Sequence, residues 1–489
     1  MFALGKVTIG PVQDWVPDQG TVVSWDPSEA ALAKARQAPV SDVPASYMQT
    51  EHLRTFSAHA EQGLDMARLC ITAWDIPGRC DIRAMTYVIN THLRRHDTYR
   101  SWFEYTDAEH IVRRTIPNPT DIEFVPTRHG EMTPAEWHSR ILATPNPLEW
   151  DCFRFMLIQK ADHFTFCLCV DHLYIDAMFI GMIFTEIHMM YAALARGGAP
   201  LRLPPSGSYL EYCGRQHQSL SALTLDSPQV RAWIEFLENN DGTLPECRLP
   251  LGESAPTELM GATLLDERQT AAFESACVAA GARFSGGVFA CAALAEHELT
   301  GAETYYGIIA TDTRSTPADF VTAGWYTGFL PITVPVAATF GDTARAAQAS
   351  FDSGKDLANV PWGRVLELAP WLRRPQRRVP LLFFLDAGVP PLSALVNSHL
   401  EGLNARICHD GGIPAQFDIR VNRFENETHV IVLFPNNPIA RESVSRYISA
   451  LKSIYVRVAE GRDPAPGLRD VAVAGFHLFE RSRKLTIQG

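Results

Sequence analysis

Residues 153–195 restrict the possible folds of this chain more than any other stretch, because two apolar runs precede a long helical pattern. The runs FRFMLIQ and HFTFCLCVDH flank the short polar segment Lys160–Ala161–Asp162. Apolar runs on either side of a polar turn predict a buried β-hairpin. The next segment, DAMFIGMIFTEIHMMYAALARGG, predicts a helix of about five turns that ends at Gly197–Gly198. We therefore expect a sheet whose hairpin leads directly into a helix.

His172 and Asp176 lie where this hairpin gives way to the helix. The sequence VDHLYIDAMF puts His172 at the end of the strand and Asp176 at the start of the helix. Such ends are where α/β proteins build sites. A histidine, with an ordinary pKa of about 6.5, can accept a proton from a hydroxyl near neutral pH. A polar strand end and an aspartate helix cap explain the same residues, so the spacing alone only indicates a candidate site.

The length of 489 residues exceeds the roughly 100–200 of a typical domain, which predicts two lobes. We place an N-terminal lobe at 1–205, a linker rich in proline and glycine at 206–225, and a C-terminal lobe at 226–489. In the second lobe, strand patterns such as THVIVLFP alternate with helical patterns such as RESVSRYISALKSIYVRVAEG. The predicted fold class is therefore α/β (α+β).

Composition excludes several classes of protein. The net charge of −12 is dispersed along the chain, so no basic face is available for nucleic acid. No apolar run reaches the roughly 18 residues of a membrane span, and the start lacks a signal-peptide pattern, which predicts a cytoplasmic protein. The ten cysteines are scattered without a CxxC pair, so we expect reduced core thiols and no metal site.

Several motifs resemble those of the acyltransferases built like condensation domains and chloramphenicol acetyltransferase. DHLYIDAM resembles their HHxxxDG motif. From residue 44 to residue 458, other segments resemble further family motifs in the family's order: PASYMQTEHLR, LRRHDTYRSWF, TDTRS, GWYTGFLPITVPV and FPNNPIARESVSRYISALKSIYVRV. The resemblance implies two chloramphenicol-acetyltransferase-like lobes in a V-shaped arrangement with a central channel.

A narrower resemblance links the chain to the polyketide-synthase-associated acyltransferases of mycobacteria, and among them to those that acylate trehalose in polyacyltrehalose assembly. It rests on MFALGKVTIG, RAMTYVINTHLRRHDTYRSWFEY and ACVAAGARFSGGVFACAALAE. It implies transfer of a long fatty or polyketide acyl group, from CoA or a synthase carrier domain, to a hydroxyl of trehalose or acylated trehalose. Acyl-CoA would be a co-substrate, with no other cofactor. A monomer with a peripheral contact at the inner face of the plasma membrane is the expected state.

The family motif assigns roles to three residues of this chain. His172 matches the second histidine and would be the general base. Asp176 matches the motif aspartate, whose role is structural, and Arg314 matches the arginine that pairs with it. A bidentate bond between them would fix the loop that carries the base.

Two positions depart from the motif, since Asp171 replaces its first histidine and Ala177 its glycine. If strand alternation holds, Asp171 points away from His172; if it lies close, it raises the pKa of His172. Alanine is tolerable at 177 unless that backbone needs a positive φ. Candidates for oxyanion stabilisation or for the substrate channel are Ala177, Gly324, Trp325, Tyr326, Thr327 and Gly328.

The expected mechanism is direct transfer, in which the hydroxyl and the thioester enter the channel from opposite faces and meet at His172. The sequence contains no GxSxG motif, so it gives no support for a covalent acyl-enzyme intermediate. The apolar helix 178–192 could line an acyl tunnel or simply be buried on several sides. Two other functions remain open: an amide-forming condensation enzyme, and a catalytically silent protein that docks on a synthase or a lipid transporter.

Overall fold

The computed structural model describes residues 1–389, 393, 402–414 and 416–463. Its internal contacts divide the chain into two compact units. The first contains Met1–Leu223, Asp312–Thr327 and the described part of 394–415. The second contains Thr224–Thr311 and the described parts of 328–393 and 416–489.

The strands are numbered along the chain: β1 Phe2–Leu4, β2 Val7–Pro11, β3 Thr21–Pro27, β4 Leu69–Pro77, β5 Ser101–Asp107, β6 His110–Thr115, β7 Phe124–Glu131, β8 Phe153–Gln159, β9 His163–Asp171, β10 Thr257–Leu265, β11 Thr304–Asp312, β12 Thr327–Pro335, β13 Pro380–Asp386, β14 Ala405–His409, β15 Phe417–Arg423 and β16 Thr428–Pro435. They form an eight-stranded sheet in the order β1-β2-β14-β4-β9-β8-β3-β7, a six-stranded sheet in the order β10-β16-β15-β13-β11-β12, and the hairpin β5-β6.

The helices are α1 Glu29–Arg36, α2 Tyr47–Glu61, α3 Ile82–Arg95, α4 Pro134–Leu142, α5 Phe179–Ile183, α6 Met190–Ala195, α7 Tyr209–Ser221, α8 Pro228–Glu238, α9 Glu267–Ala279, α10 Phe284–Thr300, α11 Phe340–Gly354, α12 Trp362–Leu368 and α13 Pro438–Ala459. The predicted helices and strands of the second half are present, among them β16 and α13. The fold is the mixed α/β fold that the sequence predicts.

The hairpin β8–β9 forms as predicted, and residues 160–162 make its turn. Both faces of β9 are buried, which explains its unbroken apolar sequence. One face, with Phe164, Phe166, Leu168 and Val170, packs in the main core of the first unit. The other face contributes Cys167 and Cys169 to a smaller cluster. Cys167 and Cys169 therefore fill space in the core, as the sequence predicts.

The helix after the hairpin runs from Phe179 to Ala195, with a π-helical turn at Phe184–Met189 between α5 and α6. It ends before Gly197, whose φ of 75° suits a glycine at a helix C-terminus. Met182, Ile183 and Phe184 belong to the buried core of the first unit, which agrees with the plain interpretation of this helix. The side chains of Phe179 and Ile180 lie outside the described residues.

The compact units differ from the predicted division into 1–205, 206–225 and 226–489 in three respects. The linker expected at 206–225 is mostly helix α7, whose Tyr209 and Cys213 are buried in the first unit. The segment Asp312–Thr327, assigned to the C-terminal lobe, belongs to the first unit. The same is true of β14, which pairs with β2 and β4. Strand pairing across hundreds of residues overrides the linear order that the prediction assumed.

Among the described residues, no helix by itself has the length and apolar character to cross a membrane. The helices α9 and α10, bent by 95° relative to each other, pass that test only as a pair, by length and composition.

Candidate active site

His172 directly follows β9 and begins a short 3-10 turn, His172–Tyr174. Its backbone N–H donates to the carbonyl oxygen of Arg68 at 2.9 Å, which fixes the start of the turn. The imidazole is partly exposed, and its centroid lies 5.7 Å from the indole of Trp325, with the ring planes tilted by 42°. The structure therefore presents the predicted base at a strand end, beside an aromatic side chain.

Asp176 and Arg314 form a bidentate ion pair, with N–O distances of 2.8 and 3.2 Å. The carboxylate also accepts the backbone N–H groups of Met178 and Tyr326, each at 3.0 Å. Burial raises the pKa of Asp176 above its ordinary value, and the Arg314 guanidinium opposes part of that shift. Burial disfavours the charge of Arg314, but Asp176 raises the pKa of Arg314 above its ordinary value. Asp176 thus ties the helix after His172 to the segment around Tyr326.

Arg314 is fixed by more than its carboxylate partner. It donates to the carbonyl oxygens of Asp319 at 3.0 Å and Thr322 at 3.4 Å, and its guanidinium lies 4.3 Å above the ring of Tyr326. Its side chain is 1% exposed. A guanidinium with this many partners holds the whole loop from Asp312 to Tyr326 in one conformation.

The segment GWYTG contributes two site neighbours and one glycine that is needed for packing. At Gly324, a Cβ atom would lie 2.2 Å from the ring of Tyr209, so only glycine permits this approach. Trp325 faces His172, and Tyr326 is fully buried against Arg314. Thr327 begins β12, whereas Gly328 belongs to the second unit.

Asp171 is completely buried, and its carboxylate is shared by three donors. Nε2 of His52 lies 2.7 Å from one oxygen, which also accepts the backbone N–H of Leu173 at 3.0 Å. Nη1 of Arg68 donates to the other oxygen at 2.9 Å. Burial raises the pKa of Asp171, but His52 and Arg68 outweigh it and hold the pKa below its ordinary value. The residue that replaces the family's first histidine is therefore an ionised anchor.

Ala177 is exposed and lies outside the left-handed region, because the only described non-glycine residues with positive φ are Asp241 and Asn404. The departure from the family's glycine thus imposes no backbone strain. Oxyanion stabilisation at Ala177, which the sequence predicts, would draw on the backbone N–H groups that follow Asp176. The N–H of Met178 already donates to Asp176, which removes it from that set.

Sequence reasoning missed a second buried network, centred on Glu186 in the π-helical turn. His92 Nδ1 and His96 Nε2 lie 2.8 and 2.9 Å from one carboxylate oxygen, and Arg95 donates to the other at 2.9 Å. Although burial raises the pKa of Glu186, these partners lower it far below its ordinary value. Burial lowers the pKa of His92, which favours the neutral ring. The network connects the end of α3 to the helix that follows Asp176.

The side chains of His92, His96 and Glu186 could in principle hold a metal ion, since their ligand atoms lie within 4.8 Å of one another. The surrounding hydrogen bonds do not fit a metal. Nδ1 of His96 accepts the backbone N–H of Ala323 at 3.2 Å, so Nε2 must carry the proton and donate to Glu186. A protonated nitrogen is not a metal ligand. The cluster is therefore a hydrogen-bond network that also holds the segment before Trp325.

Replacing Glu186 with glutamine is expected to lower the free energy of unfolding by about 2 kcal/mol at pH 7, because three N–H donors lose a charged acceptor. The lowered pKa of Glu186 means that the wild-type advantage exists above about pH 4.3 and shrinks as the pH falls further. Urea unfolding at several pH values measures both effects. Glu61→Gln, at an exposed position, is the matched control. Equal stability of Glu186→Gln and wild type at pH 7 would contradict the network.

The two cysteines of β9 are not suitable nucleophiles. Cys167 and Cys169 are buried, and burial raises the pKa of Cys169 to about 12 and that of Cys167 well above its ordinary value. A thiol of this kind stays protonated near neutral pH. Neither of these two thiols therefore suits a covalent acyl intermediate.

Known proteins are similar to this chain over most of its length. Residues 66–382 match the family model described as the condensation domain. The acyltransferase PapA3 of Mycobacterium tuberculosis is 55% identical over 464 residues, which cover 94% of this chain and 98% of PapA3. The 2'-acyl-2-O-sulfo-trehalose (hydroxy)phthioceranyltransferase PapA1 of the same species is 54% identical, covering 94% and 90% of the two chains.

A third relative, the trehalose-2-sulfate acyltransferase PapA2 of Mycobacterium bovis, is 56% identical, covering 93% of this chain and 98% of PapA2. A solved structure of PapA2 acyl transferase matches with a TM-score of 0.89 over 92% of this chain and 99% of that chain. The condensation domain of the monacolin K polyketide synthase, only 16% identical, matches with a TM-score of 0.65 over 87% and 99% of the two chains, which shows the shared fold. This chain therefore belongs to the condensation-domain family, and within it to the acyltransferases represented by PapA1, PapA2 and PapA3.

Proposed function

We propose that this protein transfers a long acyl group from a thioester to a hydroxyl of trehalose or of an acylated trehalose, with His172 as general base. The observation that carries this proposal is the partly exposed imidazole of His172, which follows β9 beside Trp325. The buried Asp176–Arg314 pair supports the segments on both sides of it. Two relatives, PapA1 and PapA2, bear names that include acyl transfer to sulfated trehalose.

The reaction needs only one proton carrier. Neutral His172 takes the proton of the acceptor hydroxyl while the hydroxyl oxygen attacks the carbonyl carbon of the thioester. The carbon–sulfur bond then breaks, and the imidazolium returns the proton to the departing thiolate. The products are an ester and a free thiol, and no covalent enzyme intermediate forms. Acyl-CoA serves as co-substrate, and the mechanism uses no further cofactor.

The finer details of donor and acceptor also belong to this proposal. The donor is a fatty or polyketide chain on CoA or on a synthase carrier domain. The acceptor is trehalose or acylated trehalose, and the names of PapA1 and PapA2 add sulfated trehalose as an acceptor to test. We further propose that the enzyme acts as a monomer in the cytoplasm, with a peripheral contact at the inner face of the plasma membrane.

Purified protein incubated with radiolabelled palmitoyl-CoA is expected to label trehalose or trehalose-2-sulfate. Chromatography of the lipid extract and mass spectrometry identify the product, and an amino-acid thioester serves as the competing acceptor. Labelled glycolipid supports the proposal. Labelled amide would instead indicate a condensation enzyme. Protein that transfers no label to any acceptor would indicate a silent docking protein.

A further inference from the structure

Trp325 is the aromatic side chain that borders the predicted base. Its indole is partly exposed, and its centroid lies 5.7 Å from the ring of His172 and 5.4 Å from that of His52. The His52 ring stands nearly edge-on to it, with an interplanar angle of 74°. The indole of Trp325 is therefore in contact with two imidazole rings.

The backbone on both sides of Trp325 is held by hydrogen bonds from separate elements. The N–H of Ala323 donates to His96 at 3.2 Å, and the N–H of Tyr326 donates to Asp176 at 3.0 Å. The hydroxyl of Tyr209 donates to the carbonyl oxygen of Trp325 itself at 3.1 Å. The preceding Gly324 lies against the Tyr209 ring, where a Cβ would not fit. The backbone that carries the indole is thus fixed by the protein's own hydrogen bonds.

The neighbouring imidazole is fixed as well. Nε2 of His52 lies 2.7 Å from Asp171, whose other oxygen accepts from Arg68. The side chain of His52 is 5% exposed and that of Asp171 is 0% exposed. Because Asp171 is fixed by Arg68, His52 has little freedom to rotate away from Trp325. A rigid aromatic face beside a base is the arrangement expected where a substrate must be oriented.

We propose that the indole face of Trp325 binds one sugar ring of the acceptor and so presents its hydroxyl to His172. A pyranose ring has a face of C–H groups with hydroxyls around its rim. The C–H face complements the electron-rich face of an indole, and the rim can bond to polar side chains. An acyl chain has no flat face, and it is better accommodated by an enclosed apolar tunnel than by a partly exposed ring. This inference rests on the proposed function, because it assumes a sugar acceptor.

Steady-state kinetics with Trp325→Leu and Trp325→Phe test this inference. For Trp325→Leu we expect the KM for trehalose to rise about tenfold, as the loss of one aromatic contact of roughly 1.4 kcal/mol implies. Trp325→Phe keeps a smaller flat face, so its KM for trehalose should rise only about threefold. The KM for palmitoyl-CoA should stay within about twofold of wild type in both variants, since the donor makes no contact with the indole in this arrangement. Trp371→Leu, at an exposed tryptophan of the second unit, is the matched control.

Two results would overturn the inference while leaving the proposed function intact. One is an unchanged KM for trehalose in Trp325→Leu, and the other is an equal rise in the KM values of both substrates. Circular dichroism of each variant establishes that it is folded, and the Phe variant retains an aromatic ring even if the Leu variant does not fold. A wild-type enzyme that acylates no sugar would instead overturn the proposed function itself.

Discussion

Replacing His172 with alanine is expected to lower kcat by about three orders of magnitude, the typical contribution of a positioned general base. The fold should persist, because the backbone N–H that bonds to Arg68 at 2.9 Å is retained in alanine. The imidazole is partly exposed, so its removal leaves no large buried cavity. Turnover of radiolabelled palmitoyl-CoA with trehalose measures the loss, and thermal unfolding measures stability.

His217→Ala is the matched control, since the same change is made at an exposed histidine of α7. It should leave both kcat and the melting temperature at wild-type values. Turnover of His172→Ala at the wild-type rate would exclude His172 as the base, whatever its position. Lost activity together with a large drop in melting temperature would contradict the expectation that His172 is dispensable for folding.

Local sequence patterns are enough to predict the hairpin and the helix that flank His172. The hairpin β8–β9 and the helix after it follow from apolar runs, a polar turn and two glycines, all within about 45 residues of sequence. The placement of His172 at the strand end follows directly from that register. Motif order then indicated that Arg314 would lie beside Asp176, although 138 residues separate them.

Partners contributed by distant segments were much harder to foresee. His52 and Arg68 surround Asp171 from 119 and 103 residues away, and neither spacing has a pattern of its own. One signal was available for Glu186, because it is the single acidic residue in an apolar helix. A buried carboxylate requires partners, and His92 and His96 stand one helical turn apart near the end of α3.

No sequence pattern predicts that residues 402–414 support the site. Strand β14 pairs between β2 and β4, and the next residue, Asp410, accepts the backbone N–H groups of Arg68 and Leu69 at 3.0 and 2.9 Å. Arg68 in turn fixes His172. A residue 342 positions beyond Arg68 therefore supports the site, which a division into consecutive lobes could not show.

Breaking the Asp176–Arg314 pair from one side should cost about 3–5 kcal/mol of unfolding free energy, because a buried charge loses its partner. The two side chains are 4% and 1% exposed, so solvent cannot replace the lost bonds. Asp176→Leu and Arg314→Met should each show this loss in urea unfolding. The double variant should cost clearly less than the sum of the two, because it leaves neither charge unpaired.

Asp226→Leu removes one partner of the exposed Asp226–Arg231 pair and should cost less than about 1 kcal/mol. Additive costs for the double variant at 176 and 314 would contradict a coupled pair.

Charge reversal, with Asp176→Arg and Arg314→Asp together, should restore little stability. Arg314 also donates to the carbonyl oxygens of Asp319 and Thr322, and a carboxylate at that position would repel both. The two residues of the pair are therefore not interchangeable. Only a guanidinium at position 314 can donate to the carbonyl oxygens of the loop that holds Trp325 beside His172.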